Sequence, residues 1–146
     1  VSEVPKGRHY FYLEEIGEPK DNILRLVIVE AAAQGAEVEV PNLQIAAREI
    51  APIPDQGPIE IVWEQYIAYS VRNESYAVTE EGQPLADTML SERSGTAFLA
   101  FIAKSTLATH EFPGPFKHWE LVCLNHVIDV VSTTAPRIRS LEPRPQ

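Results

Sequence analysis

An α+β fold, with a twisted and mainly antiparallel sheet of about five to seven strands and one main helix, is predicted by three features of the sequence. Residues 59–73 alternate: Ile59, Ile61, Trp63, Ile67, Tyr69 and Val71 fall on one face, and Glu60, Val62, Glu64, Tyr66, Ala68, Ser70 and Arg72 on the other. ILRLVIVEAAA at 23–33 is nearly unbroken in branched aliphatics, the pattern of a central strand buried on both faces. SGTAFLAFIAKST at 94–106 is the best helix candidate, with Ser94 as its cap, Lys104 in its last turn and Phe98, Phe101, Ile102 and Ser105 on one face. A β-sandwich carrying that helix as a minor insertion is the alternative.

The remaining elements follow in order. HYFYLEEI at 9–16 has strand character, and GEPKDN after it carries turn residues. QGAE at 34–37 reads as a turn, and Pro41 favours an edge or a break in the weakly alternating 38–53. PIPDQGP at 52–58 is a loop. Fifteen residues from 59 to 73 are long for a strand, so a bulge or sharp bend divides them. TEEGQPLADTML at 79–90 is an irregular acidic loop, and HEFPGPF at 110–116 is proline-bound. HWELVCLNHVIDVVS at 118–132 is strand again, either continuous or folded at Asn125-His126, because Asn tolerates the positive φ of short hairpin turns. The Pro- and Arg-rich tail, about 137–146, is expected to fray.

With 45% hydrophobic and 23% charged residues, residues 1–146 read as one globular domain. No apolar run approaches the roughly 18 residues that cross a bilayer, and the start lacks a charged-then-apolar leader, so a soluble, cytoplasmic protein without membrane contact is expected. One cysteine forbids an internal disulfide. A net charge of −9 argues against nucleic acid, whose phosphates need clustered Lys and Arg. Residues 60–87 hold Glu60, Glu64, Glu74, Glu80, Glu81 and Asp87 against Arg72 alone, whereas Arg137, Arg139 and Arg144 make the C-terminus basic. Such a field steers basic partners.

No P-loop, G-x-G-x-x-G or G-x-S-x-G occurs, and no cofactor is expected. His118, Cys123, His126 and Asp129 are all metal-ligand types, but on a continuous strand they face opposite ways and match no ligand spacing, so no metal is assigned. Cys123, between Val122 and Leu124, reads as a small core residue. Asp129, inside VIDVV, needs a partner if buried; His126, Arg72, a backbone N–H, His9, His118 and Arg137 are the candidates. Catalysis would fall to His126, Asp129 and His118 in a cleft closed by the 79–90 loop, with a third group unidentified. Binding would use Glu60, Glu64, Tyr66 and Arg72, because Tyr and Arg anchor interfaces and carboxylates select the partner.

The sequence therefore reads first as a small acidic protein-binding domain, immunity-like or chaperone-like by analogy, that engages a basic protein. A small hydrolase with a His/Asp cleft and a self-associating structural subunit, a homo-oligomer, are the alternatives.

Overall fold

The computed structural model describes residues 10–40, 45–53, 56–85 and 88–145. Pro41, His9 and Asp87, all named above, lie outside them. The chain opens with two long strands, β1 (Tyr10–Lys20) and β2 (Ile23–Val40), closed by Asp21 and Asn22. Asn22 takes φ 69°, a left-handed conformation that its short polar side chain tolerates. The turn expected across 17–22 thus shrinks to two residues. No turn forms at 34–37 either: β2 runs through, its register shifting between Gln34 and Val38. Ladder partners are available on both of its edges. β1 lies along one; β4 (Ile59–Glu64) and β3 (Ile45–Pro52) take successive stretches of the other.

The long alternating stretch breaks at Gln65, which has φ 59°. There the chain leaves the first sheet at Glu64 and enters a second as β5 (Tyr66–Asn73), with the Tyr66 N–H donating to the Asn22 carbonyl at 3.3 Å. After one 3-10 turn at Glu74–Tyr76 come β6 (Leu90–Arg93), α1 (Ala97–Ser105), β7 (Lys117–Val122), β8 (His126–Ser132) and β9 (Arg137–Ser140). The strands make two antiparallel sheets, not one of five to seven strands. One has five strands, β1-β2-β4-β9 with β3 on β2; the other has four, β5-β8-β7-β6.

One core joins them. Phe11, Leu13, Leu24, Leu26, Ile28, Ile61 and Trp63 from the first sheet meet Met89, Trp119, Leu121, Cys123, Ile128 and Val130 from the second side, with the Trp63 and Trp119 rings 6.4 Å apart. Burying such aliphatic and aromatic side chains stabilises by about 1.5–3 kcal/mol each relative to exposure, so this contact is the main attraction between the sheets. Polar latches set its alignment. The β7–β8 connection, residues 123–125, is a hairpin turn, and Asn125 serves it without a positive φ. Its carboxamide instead accepts from the Leu13 N–H and donates to the Leu13 carbonyl, both at 3.0 Å, while the Leu124 N–H donates to the Phe11 carbonyl at 2.8 Å.

Within the C-terminal segment, residues 137–141 and Arg144 are tied to the first sheet. β9 pairs with β4, and the Leu141 N–H donates to the Pro58 carbonyl at 2.8 Å. Gly57 permits this approach, since a Cβ there would collide with the Leu141 carbonyl. Arg137 pairs with Glu64, Arg139 with Glu60, and Arg144 with Glu14. The tail's basic charge thus matches carboxylates of the first sheet.

Helix α1 is shorter than expected. Gly95, at φ 63°, turns the chain out of β6, so the cap is Thr96, not Ser94; the Thr96 Oγ1 accepts from the Leu99 N–H. Of the expected apolar face only Ile102 is buried, and Phe101 is 60% exposed. No described helix is long and apolar enough to cross a membrane.

Replacing Asn125 by Ala leaves both polar groups of Leu13 without their partner and should cost about 1–3 kcal/mol. Urea unfolding measures it. Asn125→Asp, which cannot donate to the Leu13 carbonyl, should restore little of the loss.

Candidate functional site

In the four-stranded sheet the register sets Arg93 opposite His118, Glu120 opposite Asp129, and Asp129 opposite Ser70. Side chains at facing positions share a side of the sheet. One side, with Trp119, Leu121, Ile128 and Val130, enters the core. The other presents Ser70, Arg72, Arg93, His118, Glu120 and Asp129 to a cleft of about 980 Å³, walled by the start of α1 and the loop that follows the 3-10 turn. Tyr10, Val78, Leu85, Met89 and Phe98 supply apolar surface, and Glu74 and Glu80 also border it. The loop expected to close a cleft does line this one.

Asp129 is the buried centre of the floor, 4% exposed. Its Oδ1 lies 2.7 Å from His118 Nε2, and its Oδ2 accepts from Arg72 Nη2 at 3.2 Å and from Ser70 Oγ at 3.5 Å. His118, 2% exposed, places its other ring nitrogen, Nδ1, 2.8 Å from Thr96 Oγ1. A carboxylate only accepts, so in a neutral imidazole Nε2 carries the proton toward Asp129 and Nδ1 is the acceptor for the Thr96 hydroxyl. Phe98 packs edge-on against the imidazole, ring centroids 5.3 Å apart. Beside this line, Arg93 donates to Glu120 at 3.1 Å and to the Pro84 carbonyl at 2.7 Å, tying the loop to the sheet.

Of the proposed catalytic group, His118 and Asp129 come together and His126 does not. His126 is three residues from Asp129 on β8 and so faces the opposite side. Thr96, which the sequence reading did not single out, is the third member of this hydrogen-bonded line. Its only signal was position, a hydroxyl residue at the entry of the helical pattern, where Ser94 offered the same chemistry. Among the described residues no three His, Cys, Asp or Glu side chains converge as a metal-ligand group.

The proposed binding group is divided by the break at Gln65. Glu60 and Glu64 stay in the five-stranded sheet, Tyr66 and Arg72 in the four-stranded one. Glu60 is also not solvated: it is 8% exposed and paired with Arg25 at 2.6 Å and Arg139 at 2.7 Å. The Arg139 hydrogen bond, followed by that of Arg25, outweighs burial and holds its carboxyl below the ordinary range. Glu64 is exposed and paired with Arg137 at 2.8 Å. The Tyr66 hydroxyl donates to Glu18 at 2.6 Å, and that carboxylate, aided by burial, pushes the phenol up to about 12. Arg72 alone borders the cleft.

Cys123 is 2% exposed, and burial pushes its thiol up to about 12, so it offers no thiolate at neutral pH. No protein-family model, curated protein or solved structure matches this chain.

Two measurements follow. A bulky thiol reagent should label native Cys123 slowly and unfolded protein fast, and Cys123→Ala should cost about 1–2 kcal/mol. For Glu60, the lowered folded pKa means that its stabilising pairing is fully present above the unfolded value near 4.5 and is lost as pH falls through the folded one. The stability gap between wild type and Glu60→Gln, followed by urea titration, should be constant at neutral pH and narrow on acidification below the free-carboxylate range.

Proposed function

We propose that the protein binds a basic segment of a protein partner in the cleft over the four-stranded sheet. The observation that carries this reading is the distribution of charge within the cleft. On the floor, Arg72 is matched by Asp129 and Arg93 by Glu120. On the border, Glu74 and Glu80 have no cationic partner among the described residues; the Glu80 carboxylate accepts only from the Ala97 N–H, at 2.8 Å. An entering ligand therefore meets net negative charge beside the apolar surface of Val78, Leu85 and Phe98.

Lys or Arg side chains suit such a place, since their aliphatic stems cover apolar walls while the charged heads reach carboxylates. The expected partner class is unchanged, but the surface differs. Glu60 and Glu64, already paired within the first sheet, have little left to offer a basic protein. Arg–carboxylate pairing within the first sheet thus leaves the cleft border as an acidic region open to a partner.

Fluorescence anisotropy with a labelled Lys/Arg-rich decapeptide and an Asp/Glu-rich counterpart tests this. The basic peptide should bind with an affinity that falls as salt rises, and Glu74→Gln with Glu80→Gln should weaken it by up to about tenfold, at roughly 0.7 kcal/mol per exposed charge. Glu64→Gln should have no effect. Equal binding of both peptides, or an unaffected double variant, overturns the reading.

A further inference from the structure

We infer that Thr96 is an acyl-accepting nucleophile and that the cleft hydrolyses carboxylic esters or amides. The expectation of a cationic group beside the scissile carbonyl rests on the charge reading of the cleft border given above; the nucleophile itself does not.

Thr96 Oγ1, His118 and Asp129 form a hydrogen-bonded line, 2.8 Å and then 2.7 Å, and all three residues border the cleft. Nucleophile, base and orienting carboxylate stand in the order that activates a hydroxyl. The two imidazole nitrogens are interchangeable for this purpose: one must take the hydroxyl proton and the other must face the carboxylate. The tautomer required is the one that Asp129 imposes. Arg72 and Ser70 hold that carboxylate from its second oxygen, so it keeps its orientation. A purely structural cap needs only the Thr96 acceptor used by the Leu99 N–H; it does not need an imidazole and carboxylate buried behind it.

The start of α1 supplies the remaining requirement. Ala97 N–H is taken by Glu80, Leu99 N–H by Thr96 Oγ1 and Ala100 N–H by the Thr96 carbonyl, which leaves the Phe98 N–H as the first-turn amide with no partner among the described residues. It stands two residues from the nucleophile at the positive end of the helix, and it receives the oxyanion.

In the first step an Oγ1 lone pair forms a bond to the carbonyl carbon. The carbonyl π pair moves onto oxygen, and the hydroxyl proton passes to His118 Nδ1. The tetrahedral intermediate collapses, the bond to the leaving alcohol or amine breaks, and that group takes the proton from Nδ1. Water then attacks the acyl-Thr96 ester, gives one proton to Nδ1, and the carboxylic acid leaves as the proton returns to Oγ1. The sum is ester or amide plus water to acid plus alcohol or amine, with no redox partner. Thr96 and His118 are the catalytic residues; Asp129 positions the imidazole.

The test uses wild-type full-length protein with p-nitrophenyl p-guanidinobenzoate and its uncharged p-acetamidobenzoate analogue. Nitrophenolate release should show a burst approaching one equivalent, and peptide mapping should find the acyl group on Thr96. Thr96→Ser, which keeps the cap, should retain the burst. His118→Gln should slow it by about 10²–10⁴-fold, the usual range for lost general-base catalysis, with circular dichroism and urea unfolding checking that the variant is folded. Faster acylation by the guanidino ester supports both readings. Equal acylation of Thr96 by the two esters keeps the nucleophile and removes the charge preference. No burst, or acyl groups only on lysines or the N-terminus, overturns the nucleophile whether or not basic peptides bind.

Discussion

The buried carboxylate of Asp129 is the constraint around which the second sheet is arranged. A charge at 4% exposure, between Val127 and Val131 on its own face, is costly unless several donors reach it. His118 from β7, and Arg72 and Ser70 from β5, do so. Asp129 therefore ties three strands together on the face opposite the shared core. Through His118 the constraint reaches Thr96, and with it the start of α1. The helix contributes little to the core, burying only Ile102, and its position owes much to this polar line.

The first sheet solves a different problem. It must carry a strand of eighteen residues, β2, and still align with a second sheet. The common core supplies attraction without direction; direction comes from few polar contacts. At one end the Glu18 carboxylate takes the hydroxyls of Tyr66 and Tyr69, and the Tyr66 N–H meets the β1–β2 turn. At the other, Asn125 and Leu124 continue the hydrogen bonding of β1. β1 is bonded to β2 within its own sheet and latched to the other at both ends.

Charge has two roles in the molecule. Across the outer surface of the first sheet, Arg25, Arg137, Arg139 and Arg144 meet Glu14, Glu15, Glu60 and Glu64, and the pairs of Arg137 and Arg139 hold β9 on β4 more by specificity than by strength where they are exposed. Around the cleft the paired charges lie on the floor, and the border carboxylates Glu74 and Glu80 have no cationic partner among the described residues. A net charge of −9 is thus spread unevenly.

The sequence by itself determined the antiparallel, strand-rich character of the chain, the one helix among the described residues, the division of 59–73, the core placement of Cys123, and the need of Asp129 for a partner. Each is a local property: alternation, helical spacing, burial of an apolar residue, the cost of an unpaired charge. Tertiary structure decided the rest. A positive φ at Gln65 sends β4 and β5 into different sheets, so residues that alternate along one stretch do not share a surface, and Glu60 and Arg72 part company. The choice of His118 over His126 beside Asp129 came from the strand register, as did the meeting of Arg93 with Glu120. Thr96, twenty-two residues from His118, was invisible for the same reason. Short-range patterns report how a residue prefers to sit, whereas a site is made by long-range pairings whose free energy resides in neither segment alone.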